Sequence, residues 1–248
     1  MISLIVCSRD PAAFDLHRRS ISKTIGADFE SIRINNPTGQ WGICRSYNQG
    51  VAAARGDILV FVHEDVHFTA TGWGPVLAAK FADPSIGLIG VAGSQYYSSD
   101  VLGWWQPGQP FIRGQVLHEV QGRQSVSIFS HDRRDAEVVV VDGVFMAIRA
   151  SLFPAIGFDE RTFDRFHFYD LDIAMQVRRT HRAVVTCDIP LKHFSGGKTN
   201  TDWPMYAKRF QVKYAGVLPV ACCPGAPDLG KVVPFDFAVP KVFVPSIL

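Results

Sequence analysis

Asp57-Ile-Leu-Val-Phe-Val-His63-Glu64-Asp65-Val66 is the stretch from which the fold can be read. A short, nearly continuous apolar run of this kind is the mark of a strand buried on both faces of a sheet. It delivers an imidazole and two carboxylates to what would be the strand's C-terminal end, the edge where open parallel sheets bind ligands. Carboxylate oxygens are hard ligands suited to Mg2+ or Mn2+, and such an ion takes one or two of them while a substrate diphosphate completes its shell. Asp65 is therefore the first candidate metal ligand. Taken alone, the same tripeptide also reads as an acidic turn capping the next element.

Working outward, residues 2–7 form an apolar run ending at Ser8-Arg9-Asp10, and a helical pattern follows with Phe14, Leu16, Ile21 and Ile25 as its expected inner face. Residues 31–35 predict a second strand and residues 43–55 a helix that stops near Gly56. Beyond the central strand, residues 75–83 predict a helix and residues 86–93 another strand. Strands alternating with helices imply an α/β fold, with a mostly parallel mixed sheet, Rossmann-like in its first half, and helices on both faces.

From Ser94 the rhythm breaks, with Tyr96, Tyr97, Trp104, Trp105, Pro107 and Pro110 scattered among glycines and polar residues. Residues 94–137 are expected to form a long, irregular and mobile surface excursion. A strand over 138–149, a helix over 169–180, a strand over 183–189 and a helix over 202–214 complete the expected body. Prolines 219, 224, 227, 234, 240 and 245 forbid long regular elements in the tail, which is expected to lie extended against the body. The organisation expected is one domain over 1–216, with a first half to residue 93 and a second from 138, followed by the tail 217–248.

Composition excludes several classes. The chain has 248 residues, 47% of them hydrophobic and 19% charged, which argues for a packed core and against disorder. Twenty-five Lys and Arg against 23 Asp and Glu leave +2, too little for nucleic-acid binding by broad phosphate neutralisation. No apolar run approaches the roughly 18 residues of a spanning helix. The first residues lack a basic lead-in and meet Arg9 and Asp10 at once, so they read as a strand rather than a signal peptide, and a cytoplasmic location is expected. Cys7, Cys44, Cys187, Cys222 and Cys223 are odd in number and lack a CxxC pair, which suits reduced thiols.

Further residues carry possible chemistry. Cys7, Ser8 and Arg9 leave the first strand at the ligand edge, where they can approach a nucleoside or its phosphates. Asp142-Gly143 interrupts the strand 138–149, and a glycine within a strand admits close approach of a ligand or another backbone. Gly196-Gly197-Lys198-Thr199 is no P-loop, because Lys192 stands where the first glycine is required, although Lys198 can still neutralise a phosphate.

The ordered landmarks are residues 2–10, Ser46-Tyr-Asn48-Gln-Gly50, residues 56–65, Asp142-Gly143-Val-Phe-Met-Ala-Ile-Arg149, Gly157-Phe-Asp159-Glu160, Tyr169-Asp170-Leu-Asp172 and His193-Phe-Ser-Gly-Gly197. Together they resemble the GT-A glycosyltransferases, specifically family 2-like members and a bacterial subgroup similar to the streptomycin-biosynthesis glycosyltransferase-like proteins, over residues 2 to about 197. The resemblance implies a nucleotide-binding first half, a metal motif of DxD type holding Mn2+ or Mg2+, and an acceptor-binding second half. It implies transfer of a sugar from a nucleotide-sugar donor to a carbohydrate or other hydroxyl acceptor, by one inverting displacement.

Residue by residue, the resemblance implies Asp170 as general base, and His193 as an additional metal ligand or diphosphate contact. Asp172 lies two residues on, about 200° around a helix from Asp170, so one of the two faces substrate while the other bonds backbone N–H groups or an arginine; Asp172 is assigned to the acceptor side. His63, Glu64, Asp142 and Gly143 are assigned to the donor, with Asn48 matching the family's helix asparagine. Trp104 and Trp105 either stack on a sugar ring or plug a local core, and Trp203 is open in the same way. Three departures stand out: His63 replaces the leading Asp of the DxD, Asn35 and Asn36 replace the aspartates that bind the base, and Tyr47 replaces the arginine before Asn48. The last aspartate is usually the direct ligand, so Asp65 keeps the site, with Glu64 or His193 compensating. The departures leave open a catalytically weak sugar-nucleotide-binding or scaffold protein of the same fold. A nucleotidyltransferase ranks last, because no Gly-rich, Lys- or Arg-bearing loop follows the first strand.

Overall fold

The structure, a computed structural model, describes residues 1–130, 132–195 and 200–223. The Gly196-Gly197-Lys198-Thr199 segment with its Lys198, and the tail beyond residue 223, lie outside the described residues. In chain order the strands and helices are β1 (Ile2–Ser8), α1 (Pro11–Thr24), β2 (Phe29–Asn35), α2 (Ile43–Ala53), β3 (Ile58–Val62), β4 (Val66–Phe68), α3 (Trp73–Lys80) and β5 (Ile86–Gly90). Then come β6 (Ala92–Ser94), β7 (Tyr96–Tyr97), β8 (Ile112–Val120), β9 (Arg123–Ile128), β10 (Ala136–Val138), β11 (Val140–Val141) and β12 (Phe145–Arg149). The last are α4 (Tyr169–Val177), β13 (Arg182–Val185), β14 (Leu191–His193), α5 (Trp203–Lys213) and β15 (Val220–Ala221).

The main sheet has the order β10-β13-β5-β12-β3-β1-β2. β1 pairs with β2 and β3 in parallel, as does β13 with β5, whereas β12 runs antiparallel between β5 and β3. The sheet is thus more evenly mixed than expected. Its central strands are buried runs such as Ile-Leu-Val-Phe-Val and Ile-Gly-Leu-Ile-Gly, as a sheet covered on both faces requires. A second sheet, in the order β11-β6-β8-β14-β4 with β9 paired to β8, stands at the ligand edge of the first.

Local chemistry explains the elements that flank the site. Asp10 caps α1 by accepting from the Ala12 N–H at 2.8 Å, and Pro11 fits the first helical position, where no N–H bond is lost. The buried face of α1 is Phe14, His17 and Ile21, while Leu16 is 60% exposed. The expectation for Leu16 fails because it lies about 200° around the helix from Phe14. α2 packs so closely on β1 that a Cβ on Gly50 would come within 2.2 Å of Ile5.

Two further expectations are corrected. Residues 94–137 are not an irregular excursion, for they contain the β8–β9 hairpin, closed by Gln121 and Gly122 at φ of 52° and 73°, a pair of left-handed residues that matches strand twist. Tyr96, Tyr97 and Trp104 in this segment are buried. The single strand expected over 138–149 is three strands: β10 belongs to the main sheet, β11 to the second, and β12 returns to the first. Asp142 and Gly143 sit at that crossing, between the two sheets. Among the described residues, no helix is long and apolar enough to cross a membrane.

Candidate active site

The candidate site gathers where β3 ends. β4 turns back from the β3 edge and pairs antiparallel with β14, setting His193 opposite Val66 and hence beside Asp65. The Phe194 N–H donates to the Asp65 carbonyl at 2.9 Å, and His193 Nε2 lies 3.3 Å from Asp65 Oδ1. His63 completes a cluster in which one ligand atom from each of His63, Asp65 and His193 lies within 4.8 Å of the others. Although burial pushes the Asp65 carboxyl up, the hydrogen bond from His193 and the neighbourhood of the two imidazoles hold it below its ordinary value. Burial, reinforced by His193, pushes His63 down, which favours the neutral ring that carries a ligating lone pair.

These donors fit a divalent cation. An ion about 2.1 Å from each nitrogen or oxygen keeps its ligand atoms within roughly 4.3 Å of one another, so the three side chains need only draw slightly inward. Two imidazoles and one carboxylate suit Mn2+ better than Mg2+, which prefers oxygen.

The start of α4 meets the same corner, the Tyr169 hydroxyl lying beside the His63 ring. Phe168 adopts a left-handed φ of 65°, costly for a bulky residue, and so turns the chain into the helix at Tyr169 and Asp170. Asp170 Oδ2 accepts from the Gly143 N–H at 2.8 Å and its Oδ1 from its neighbour Leu171 N–H at 3.0 Å. Burial, helped by the nearby Asp142 charge, pushes the Asp170 carboxyl up to about 7. Asp142 accepts from Trp104 Nε1 and from the Val144 N–H, each at 2.8 Å.

Other expected residues fall in various places. Glu64 takes the Arg9 N–H on both oxygens at 3.1 Å, so its carboxylate pins the end of β1 against the end of β3. Ser8 is buried, donating to the Asp10 carbonyl and accepting from Arg33 Nε. Arg9 is exposed with its guanidinium over the Phe166 ring, and Cys7 is half-buried at the same edge. Asn35 is exposed at the end of β2, while the Asn36 amide is buried against both main-chain groups of Trp41. Trp104 is buried, its N–H spent on Asp142; Trp105 is half-buried with its ring 5.5 Å from that of Trp203.

The Asn48 amide exchanges hydrogen bonds with the main chain of Phe158 at 2.9 and 3.2 Å, tying α2 to the loop before α4. One assignment is corrected. Asp172 cannot meet an acceptor, for it is wholly buried, 2.6 Å from Lys213 Nζ and accepting from Tyr214 Oη and Gln176 Nε2 at 2.7 Å each. A buried carboxylate needs such partners, and Lys213 supplies the charge where an arginine or backbone was expected. Sequence reasoning missed Tyr169, whose hydroxyl lies 2.8 Å from His63 Nε2 and donates to the Gly143 carbonyl at 3.3 Å. Its adjacency to Asp170 is the single sign of it in the sequence.

A family model described as a glycosyltransferase-like family matches residues 3–214, most of the chain. A protein of Fuscovulum blasticum named for an open reading frame in the ATP synthase subunits region is 25% identical over 195 residues, covering 74% of this chain and 71% of that protein. Among solved structures, GalNAc-T7 with UDP, GalNAc and Mn2+ superposes with a TM-score of 0.57 at 9% identity, covering 87% of this chain and 50% of that one. The mannosyltransferase PcManGT from Pyrobaculum calidifontis, in complex with GDP-Man and Mn2+, gives 0.53 at 14% identity, covering 87% and 63%. S. aureus TarS 1–349 gives 0.52 at 13%, covering 88% and 72%. The chain thus spans less than two thirds of the first two structures, and at these identities the likeness speaks for the fold alone. With that GT-A fold and a family match over nearly its whole described length, the chain belongs to the glycosyltransferase-like family.

Proposed function

We propose that this glycosyltransferase is metal-dependent and inverting, moving a sugar from a nucleoside-diphosphate donor to an acceptor hydroxyl, within the subgroup resembling the streptomycin-biosynthesis proteins. The observation that carries the reading is the junction of the His63, Asp65 and His193 cluster with Asp170 through the Tyr169 hydroxyl and Gly143, where burial lifts the Asp170 carboxyl to about 7. A divalent cation held by the three side chains supplies positive charge against the negative charge that grows on the departing diphosphate.

The chain's own residues do the rest. Arg9, exposed at the end of β1, lies where it can meet the nucleotide. Each Asp170 oxygen accepts one main-chain N–H and keeps a lone pair, so the carboxylate is fixed in direction yet able to take the acceptor's proton. A base whose pKa is about 7 combines a large ionised fraction with real affinity for that proton.

A thermal-shift panel of nucleoside diphosphates with and without Mn2+ tests the donor half: one nucleotide should stabilise the protein when Mn2+ is present, and Asp65→Ala should erase the response. NMR of the product's anomeric configuration tests the other half. Retained configuration, or Mn2+-independent nucleotide binding, contradicts the reading.

A further inference from the structure

We infer that Tyr169 is a positioning residue that ties the cation corner to the catalytic base through a single hydroxyl. Tyr169 is 4% exposed, so it is sealed from substrate. Its oxygen lies 2.8 Å from His63 Nε2 and donates to the Gly143 carbonyl at 3.3 Å, and the N–H of Gly143 in turn holds Asp170 Oδ2 at 2.8 Å. Nothing larger than glycine fits at 143, where a Cβ would stand 2.1 Å from the Tyr169 oxygen. The ring itself is wedged against Tyr47 and Phe158.

Counting hydrogens makes the link specific. A phenol has one proton; given to the Gly143 carbonyl, it leaves the Tyr169 oxygen to accept, which requires the hydrogen of His63 on Nε2. That tautomer leaves the Nδ1 lone pair for a cation, and a hydrogen-bond partner on the far nitrogen is what orients metal-binding histidines. An aspartate at position 63 needs no such partner. His63 and Tyr169 therefore work as a pair, and the same hydroxyl fixes the strap that aims Asp170.

The inference rests on the cation reading above, and its test separates the two. Mn2+ is titrated into the full-length protein without donor or acceptor and followed by the electron paramagnetic resonance signal of the free ion. Tyr169→Phe, which removes only the hydroxyl, should weaken Mn2+ binding by about 10-fold or more, the effect of losing an outer partner of a metal ligand. With Mn2+ saturating, it should lower kcat while leaving the donor KM within about 3-fold. Tyr47→Phe is the control: its hydroxyl is buried in the same aromatic group but has no hydrogen-bond partner among the described residues, so both readouts should stay at wild-type values. Should Y169F not fold, 15N NMR of the His63 ring in the wild type decides instead: the tautomer with its hydrogen on Nε2 is expected, and the hydrogen on Nδ1 overturns the inference. Mn2+ binding by Y169F as tight as wild type, or an equal loss in Y47F, overturns the inference alone. No Mn2+ binding by the wild type overturns it together with the cation reading.

Discussion

Two aspartates stand two residues apart at the start of α4 and have opposite fates. Asp170 has no cationic partner among the described residues, and burial beside Asp142 lifts its carboxyl to about 7. Asp172 points about 200° away into the body, where Lys213 bridges it and Asp159 at 2.6 and 2.8 Å. Side-chain chemistry is identical, so what differs is how each charge is compensated. A carboxylate left short of positive charge is free to take and give up a proton. One closed in by an ammonium and two neutral donors is a bolt between α4 and α5.

The sharpest way to break this comparison is Asp170→Asn. Loss of a general base should lower kcat by about 10²–10⁴-fold with nucleotide binding retained. The stability effect has the opposite sign. A carboxyl whose folded pKa is raised stabilises the fold at low pH and loses that contribution as pH rises through about 7. The variant should therefore gain stability over wild type between pH 4 and 8, as urea denaturation will show. An Asn variant with wild-type turnover places the base elsewhere.

Asp172→Ala should do the reverse. Removing Asp172 leaves the buried Tyr214 and Gln176 donors without their acceptor and should cost about 3 kcal/mol of unfolding free energy, at the lower end for a broken buried pair because Asp159 still compensates Lys213, whose side chain is 25% exposed. Turnover per folded molecule should stay within about 3-fold of wild type. A stable but inactive variant would exchange the roles of the two aspartates.

What the sequence disclosed, and what it withheld, divides along the same line. The central strand, the carboxylate at its end and the alternating elements were legible, because continuous apolar runs and their polar termini are properties of neighbours in the chain. Asp65 could be named for the same reason, from the polar residues that follow the central strand, whereas His193 was named from the family resemblance. The partners of Asp172 and Asn48 were not legible: Lys213 and Phe158 are brought in from distant elements by the packing of α5 and of the loop before α4. Nor could spacing show that residues 138–149 change sheets at Asp142, since an unbroken strand and a crossing look alike in an apolar run.

The pH dependence sharpens the comparison further. With Asp170 as base, kcat/KM should fall towards a slope of about tenfold per unit below pH 7, roughly 50-fold between pH 7 and 5, and level off above. Asp172→Asn should leave the limb in place.

The smallest effect expected is also the most specific. Asp142 is the second cause, after burial, of the raised Asp170 carboxyl, so Asp142→Asn should move the acid limb of the rate profile to lower pH, by a fraction of a unit up to about one unit, or about 1.4 kcal/mol. Asp142 accepts from both Trp104 Nε1 and the Val144 N–H. An amide has one accepting oxygen, so one of those donors loses its partner and the absolute rate also falls. Position along the pH axis, rather than rate, is therefore the quantity to compare: a lost hydrogen bond lowers the whole curve, whereas a lost neighbouring charge slides it. A limb that stays at about pH 7 in this variant means that burial alone sets the Asp170 carboxyl, and that the crossing strand serves to aim the base and not to tune it.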